Sequence, residues 1–415
     1  MSRAARWLTF GSAASIMFSI AVSQILLGLA LAALFFSGDP LRLPRIKLPL
    51  ALFILGTLLS WAFSPAPLMV GYPQVRKFLV FSELLIVFST LRDIMVVRWL
   101  FLTWAGIGSI SAVRGFVQFA AKIHQAHQSG VHGLGRDFYN YYVSERITGF
   151  TSHWNTYSAE EMFALIMLGA FLFFAPGARK RSWVWILSAV LMSFAVLLGE
   201  TRAIWLCTAG AGLYLVWFWK RRLVLLVPVV VVLAFVVSPP AIRERFTSIL
   251  QPREVDSNRF RIVSWRTGIR MIEKHPLLGL GPEEVNRLVN PHFDDYIPAD
   301  IPRPLPSGWY GHMHNIYIQY AAERGIPTML VMMWMLIRIL VDFWRGLRAL
   351  PPGLSDRRFL LQGGIAVVLA TMGEGVVEYN LGDTEVLTMF LVVVACGYLA
   401  LEKDLFARGA LPAHE

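Results

Sequence analysis

The sequence predicts an all-α, polytopic membrane protein. Hydrophobic residues make up 56% of the 415 positions and charged residues only 16%, whereas soluble domains carry about 25% charged residues. The apolar residues occur in long runs, and a helix needs about 20 of them to cross a hydrocarbon core. We therefore expect one integrated membrane domain with about 12 transmembrane helices, not a soluble helical protein.

The predicted spans are apolar runs separated by polar or basic loops. They cover residues 7–20, 22–37, 48–63, 78–91, 95–121, 153–175, 183–199, 203–219, 223–237, 313–343, 359–377 and 384–401. Arg3 and Arg6 precede the first run as in a signal peptide, but the apolar stretch continues to Phe36. Such a length favours retained helices, and the topology favours two helices over one long tilted one.

Basic residues predict the orientation of these spans. Four clusters fall on one side if the spans alternate, and that side is expected to be cytoplasmic, with both termini. The clusters are Arg42/Arg45/Lys47, Arg179–Arg181, Lys220–Arg222 and Arg345/Arg348/Arg357/Arg358. This distribution also accounts for the net charge of +11 without a nucleic-acid partner. The opposite side is then expected to be the periplasm or the cell exterior, and any active site is expected on that side.

One long polar loop interrupts the apolar pattern and divides the chain into three parts. Residues 1–237 and 313–415 are predicted to be membrane helices, and residues 238–312 a periplasmic subdomain. Repeated prolines predict that this loop folds into short helices and turns. Within it, Trp265, Ile269 and Ile272 have helical spacing.

Three arginines on the predicted periplasmic side are candidates for binding an anion. Arg202 lies between two spans with almost no loop, and Arg259 and Arg261 begin the helical segment that contains Trp265. A guanidinium group stays charged and binds phosphate oxygens bidentately. The ordinary alternatives are an Arg that extends to the membrane interface or pairs with Glu200, and an interfacial Trp beside an interfacial Arg.

A His–Met–His–Asn sequence ends the loop where the next span begins. His314 has the chemistry to transfer a proton near neutral pH, His312 lies two residues before it, and Asn315 is a candidate helix cap. Two such histidines are also potential metal ligands, but no third ligand follows at suitable spacing, so we expect neither a metal nor a cofactor. The common alternative is a pair of interfacial polar residues.

Two further arginines are candidates for contacts with the substrate. Arg76 precedes a span on the periplasmic side, and Arg324 lies in the helix that follows His314. Gly325 and Pro327 should break that helix, and broken helices at membrane depth usually line a cavity. The sequence has neither a P-loop nor a Gly-x-Ser-x-Gly motif, which argues against nucleotide-driven and serine-hydrolase chemistry.

Taken in order, these features resemble the bacterial O-antigen ligase and polymerase superfamily. The resemblance covers roughly residues 195–334. The motifs that carry it are Arg261-x-x-x-Trp265, Lys274-His275-Pro276-Leu277-Leu278-Gly279-Leu280-Gly281, His314-Asn315 and Glu323-Arg324-Gly325. Arg324 departs from the family pattern, which often has a neutral residue at this position.

The resemblance implies a metal-independent glycosyltransferase of the GT-C type. Its donor would be a glycan on undecaprenyl diphosphate, its acceptor a lipid A–core oligosaccharide, and both would be reached from the lipid bilayer. The family's essential groups correspond to Arg202, Arg261 and His314. The candidates for binding the substrate are Arg259, Trp265, His312, Asn315, Arg76 and Arg324. The resemblance also implies a bacterial inner membrane, with the site on its periplasmic side. A polymerase or a protein O-glycosyltransferase with the same donor remains an alternative, and so does a transporter of lipid-linked sugars, although no internal repeat is visible.

Overall fold

The protein is built from helices joined by turns. A computed structural model describes residues 3–133, 135–143, 145–177, 182–237, 243 and 258–402. Arg179–Arg181 and most of the predicted loop before Asn258 lie outside the described residues. The helices are α1 (Arg3–Ser15), α2 (Ile20–Ser37), α3 (Lys47–Ala62), α4 (Leu68–Arg76), α5 (Phe78–Thr90), α6 (Ile94–Gln128), α7 (Arg136–Tyr142), α8 (Trp154–Phe174), α9 (Ser182–Leu198), α10 (Arg202–Lys220), α11 (Val227–Val237), α12 (Asn258–Lys274), α13 (Ile316–Arg348), α14 (Asp356–Glu374) and α15 (Thr384–Leu401).

Helix lengths and composition support the predicted membrane protein. Five described helices are long and apolar enough to cross a membrane, namely α2, α6, α8, α13 and α15. The shorter helices α3 and α9 are also apolar. No strand occurs among the described residues, in agreement with the all-α prediction. The predicted number of about 12 spans stays a prediction.

The first apolar stretch forms two helices, as predicted. α1 ends at Ser15 and α2 begins at Ile20, where the Ser19 side chain accepts a hydrogen bond from the Val22 amide at 3.3 Å. This is an N-cap, which satisfies an amide that has no partner within the helix. The two helices pack against each other.

Burial distinguishes the centre of the bundle from its periphery. In α15, 83% of the most apolar window is buried by protein, against 22% in the equally apolar α2. α15 packs against α5, α8 and α14, and α14 also contacts α8, α10 and α13. We infer that α14 and α15 form the core, while α2 leaves most of its apolar surface for lipid.

α13 is interrupted at Gly325, as Gly325 and Pro327 predict. Gly325 has φ 82° and ψ 160°, a backbone conformation that only glycine adopts readily. The interruption leaves carbonyl groups of the preceding turn without helical partners. Two amides of the loop after α12 donate to them, Leu280 to Ala322 and Gly281 to Glu323, each at 2.9 Å. In return, the Ile326 amide donates to the Pro276 carbonyl at 2.8 Å.

These backbone bonds explain why two of the sequence motifs occur together. A Cβ atom at Gly279 would lie 2.3 Å from the Glu323 carbonyl carbon, and one at Gly325 would lie 1.9 Å from the Leu277 carbonyl oxygen. Only glycine permits such close approach of two backbones. The loop between Pro276 and Gly281 is thus joined to the first half of α13, which begins beside His314.

Candidate active site

The candidate site is built on the turn that starts α13. Asn315 is the N-cap, and its side-chain oxygen accepts hydrogen bonds from the amides of Tyr317 and Ile318, both at 2.9 Å. Its side-chain NH2 group donates to the Val376 carbonyl at 2.7 Å. The predicted helix cap is therefore confirmed. Because both ends of the amide are used, Asn315 links the His314 turn to the segment that follows α14.

The backbone of His314 is held in the left-handed region, at φ 48°. For a residue other than glycine this costs about 1–3 kcal/mol and persists only where the surroundings enforce it. Two hydrogen bonds do so here. The His314 amide donates to His312 Nδ1 at 3.0 Å, and Trp265 Nε1 donates to the His314 carbonyl at 3.2 Å. The Phe260 ring also packs edge-on against the His314 ring.

Glu378 brings the predicted residues together. It lies in the turn between α14 and α15, and its Oε1 is 3.0 Å from His314 Nδ1 and 3.6 Å from His312 Nε2. Its Oε2 accepts a hydrogen bond from Arg261 Nη2 at 3.1 Å. The Arg261-x-x-x-Trp265 spacing places both side chains on one face of α12, so a single helix supplies the guanidinium group and the indole.

This arrangement assigns the protons on His314. A carboxylate can only accept hydrogen bonds, so the neutral imidazole donates its Nδ1–H to Glu378. Nε2 then carries the lone pair and can accept a proton; the Trp309 carbonyl oxygen lies 3.5 Å from it, a distance too long for a strong hydrogen bond. The His314 side chain is nearly buried, with 9% of its surface exposed. Histidine and carboxylate together form the orientation device that enzymes use to hold a general base.

Burial and charge set the protonation states of the neighbouring groups. Burial alone would raise the pKa of Glu378, but its hydrogen bond to His314 and the nearby His312 and Arg261 hold that pKa well below its usual range. Burial, with the charges of His314 and Arg261, lowers the pKa of His312 to about 3. Near neutral pH, Glu378 is therefore an anion and His312 a neutral imidazole.

The same three groups also have the spacing of metal ligands. One ligand atom each from His312, His314 and Glu378 lies within 4.8 Å of the others. Sequence spacing gives the two histidines no third ligand, because Glu378 is far from them along the chain. In the observed geometry, however, Glu378 is paired with His314 and Arg261 by hydrogen bonds.

Arg202 lies close to the helix that carries Arg261. It is the first residue of α10, and its Nη2 donates to the Asn258 side chain at 3.0 Å. Asn258 is the first residue of α12 and precedes Arg261 by one helical turn. Arg259 is on the same helix, where it is exposed. The two predicted arginine segments are thus adjacent in space.

Arg324 and Arg76 lie farther from His314. Arg324 is buried, and its guanidinium carbon is 4.4 Å from the centroid of the Tyr320 ring and 5.3 Å from that of Phe53. The rings of Tyr320 and Tyr379 separate it from His312. Arg76 is exposed at the end of α4. The structure supports a packing role for Arg324 and gives Arg76 no contact with the His314 turn among the described residues.

Sequence reasoning missed three residues near the site. Glu378 is the most important, and the only signal for it was a charged turn on the predicted periplasmic side. His153 caps α8 and faces Glu378 and His314, and burial lowers its pKa. Arg146 lies over the Trp154 ring, at 4.9 Å from the centroid. Arg146 belongs to the segment between α6 and α8, and His153 is the first residue of the predicted span 153–175.

The fold and the site define a helical membrane protein with a His–Glu–Arg constellation at one end of its bundle. Residues 187–333 match the family model described as O-antigen ligase. This match supports an assignment to the O-antigen ligase family, whose members are glycosyltransferase-like enzymes. The matched region includes Arg202, Arg261 and His314 and ends before Glu378. The chain matches no curated protein.

Proposed function

We propose that this protein is an O-antigen ligase. It would transfer a glycan from undecaprenyl diphosphate to a lipid A–core oligosaccharide at the periplasmic face of a bacterial inner membrane. The observation that carries the proposal is the hydrogen-bonded set His314–Glu378–Arg261 beside Arg202. It supplies a base and two cations at one place, which this reaction requires.

His314 acts as the general base in this proposal. With Nδ1–H donated to Glu378 at 3.0 Å, Nε2 removes the proton from the acceptor sugar hydroxyl as its oxygen attacks the anomeric carbon. A positioned base typically contributes about 10²–10⁴-fold to the rate. Glu378 holds the tautomer and stabilises the imidazolium that forms. Direct attack opposite the leaving diphosphate inverts the anomeric centre.

Arg261 and Arg202 act on the leaving group. The diphosphate gathers negative charge as the glycosidic bond breaks, and cations placed at that charge are usually the largest catalytic contribution. Arg261 is 23% exposed, so its guanidinium group is held by Glu378 and still reaches the site edge. Arg259, exposed on the same helix, would contact the distal phosphate. We propose that no metal is needed, because these arginines neutralise the diphosphate.

The remaining predicted residues position this machinery. Trp265 and Asn315 use their polar groups on the His314 carbonyl and on Val376. These hydrogen bonds therefore hold the backbone that carries His314 and the segment just before Glu378. The His312 side chain accepts a hydrogen bond from the His314 amide, and its imidazole stays neutral. These are positioning roles, in contrast to the direct substrate contacts that the sequence suggested.

A transfer assay with purified protein tests the proposal. It would contain the lipid-linked glycan donor, a lipid A–core acceptor and EDTA, with His314→Ala beside the wild type. His292→Ala is the matched control, because His292 is an exposed histidine of the loop with 77% of its side chain accessible. We expect EDTA-resistant product on lipid A–core, its loss in His314→Ala and its retention in His292→Ala.

Other products would identify the alternatives. Longer donor-linked chains would indicate a polymerase, and glycan on a protein acceptor a protein O-glycosyltransferase. If EDTA abolishes transfer and Zn²⁺ restores it, the His312, His314 and Glu378 groups hold a metal and the general-base role is wrong. Donor binding without transfer to any acceptor would favour a transporter.

A further inference from the structure

A cavity lies at the other end of the bundle from His314. Its volume is about 420 Å³. It is formed where the α2–α3 loop, the α5–α6 turn and the end of α15 meet, and it is lined by Arg42, Leu43, Arg45, Phe88, Arg92, Tyr398, Leu401 and Glu402. α15 begins just after the Glu378 turn and runs 18 residues to this cavity, so about 27 Å separates the two ends.

The cavity has a surplus of positive charge. Three guanidinium groups face one carboxylate, which leaves a formal charge of +2 on the lining. Glu402 Oε2 is 3.0 Å from Arg92 Nη2 and 3.9 Å from Arg42 Nη1. Among the described residues, Arg92 Nη1 is buried without a hydrogen-bond partner, and the Arg45 side chain is exposed. One carboxylate does not satisfy these donors, so the cavity is suited to an anion.

Apolar surface borders the charged groups on one side. Leu43 lines the cavity and is 54% exposed, and Leu41 beside it is 48% exposed. The last turn of α2 adds Phe35 and Phe36, both more than 80% exposed. α2 is a candidate membrane span with little of its surface buried by protein. A ligand in the cavity can therefore place an anionic group on the arginines and hydrocarbon chains along this surface.

We propose that the cavity binds the headgroup of an anionic phospholipid. Phosphate oxygens would accept hydrogen bonds from Arg42, Arg45 and Arg92, and the acyl chains would lie along Leu41, Leu43 and α2. Guanidinium groups match phosphate geometry, and basic pockets between membrane helices are suited to such headgroups. The formal charge of +2 matches a lipid with two phosphodiesters, so cardiolipin is the preferred occupant. The proposal is independent of the transferase function.

Lipid titration of the purified full-length protein in neutral detergent tests this site. The probes are cardiolipin, phosphatidylethanolamine and inorganic phosphate, and the readouts are binding by native mass spectrometry and the apparent melting temperature. The test variant is Arg42→Gln with Arg45→Gln, since both side chains are exposed. The matched control is Arg345→Gln with Arg348→Gln, two exposed arginines at the end of α13 that do not line the cavity.

We expect cardiolipin to bind and to raise the melting temperature, and phosphatidylethanolamine and phosphate to do neither. Each arginine near an anionic headgroup contributes about fivefold in affinity, so the test variant should bind cardiolipin about 30-fold more weakly. The control variant should stay within about twofold of the wild type. Both variants should melt at the wild-type temperature without lipid.

Four results would overturn the proposal. Equal binding of phosphatidylethanolamine would show that the headgroup charge is not recognised. A full effect from inorganic phosphate would assign the cavity to a free anion. Undiminished cardiolipin binding by the test variant would place the lipid elsewhere. An equal loss of cardiolipin binding in the control variant would show that the general surface charge, and not this cavity, determines the binding. The single variant Arg45→Gln repeats the test if the double variant is unstable.

Discussion

Replacing Glu378 with Gln tests the core of the proposed mechanism. The substitution keeps the size of the side chain but removes the charge and exchanges one acceptor oxygen for an NH2 group. If that NH2 group faces Arg261 Nη2, now 3.1 Å from Oε2, two donors oppose each other. If it faces His314 Nδ1, 3.0 Å from Oε1, His314 must carry its proton on Nε2. In that tautomer Nε2 cannot act as a base.

The expected loss follows from what a general base contributes. A base held in the wrong tautomer forfeits most of its effect, so kcat should fall about 10²–10⁴-fold in Glu378→Gln. KM for the lipid-linked donor should change much less, because Arg202 and Arg259 are untouched. Removing the carboxylate that half-buried Arg261 contacts also costs stability, on the order of 1–3 kcal/mol. The apparent melting temperature must therefore be measured beside the rate.

The control for this experiment is Glu284→Gln. Glu284 is a buried carboxyl group of the loop, 5% exposed, outside the His314 contacts. We expect this variant to retain its transfer rate. If folded Glu378→Gln transfers glycan within about threefold of the wild-type rate, Glu378 does not orient the base and the mechanism is refuted. If the loss is confined to KM, Glu378 serves donor binding instead.

Three further substitutions test the structure around the site. Gly325→Ala should lower the stability by at least about 2–3 kcal/mol, since it adds a Cβ 1.9 Å from a backbone oxygen at a positive φ. Gly353→Ala is the control, at φ +114° with nothing within 4 Å, and it should lower the melting temperature less. The reverse order would contradict the backbone contact at Gly325. Asn315→Ala should cost about 1–2 kcal/mol through the lost cap, and Asn315→Ser should recover part of it; equal melting temperatures for the three proteins would exclude the capping role. His312→Asn should reduce the loss of stability at acid pH. The pKa of His312 is about 3 in the folded protein, against the ordinary 6.5. Between those pH values the folded protein binds fewer protons than the unfolded chain, so its stability falls as the pH falls. The check is the drop in melting temperature from pH 7 to pH 4.5, which should be smaller in the variant, and an unchanged drop would argue against a neutral, buried His312.

Local signals predicted much of the fold. The break in α13 followed from Gly325 and Pro327, and the cap at Asn315 from its position before an apolar run. The division of the first apolar stretch into α1 and α2 was also correct. These features depend on a few neighbouring residues, whose backbone preferences act within one helical turn. The orientation in the membrane stays a prediction, since it depends on the distribution of charge between loops.

The candidate site was predictable only in part. Arg261 and Trp265 share a helix face, and His312 and His314 share a turn, so short spacings were enough to select them. Glu378 could not be found in this way, because it reaches His314 only after α13 and α14 have folded back across the bundle. For the same reason, sequence spacing did not indicate Glu378 as the third potential metal ligand. The surroundings of Arg324 also depend in part on distant residues, since its guanidinium group lies between Tyr320, one turn earlier in α13, and Phe53 of α3.

The backbone bonds between the Pro276–Gly281 loop and α13 constrain how this protein can be recombined with its relatives. If the loop alone is exchanged, the native amides of Leu280 and Gly281 no longer face the carbonyls of Ala322 and Glu323. The amides of the new loop would have to match the spacing of those two carbonyls. Functional chimeras should therefore transfer the loop together with the first half of α13, with a junction after Pro327. The turn that carries His314 would then be inherited together with the loop that holds its helix in place.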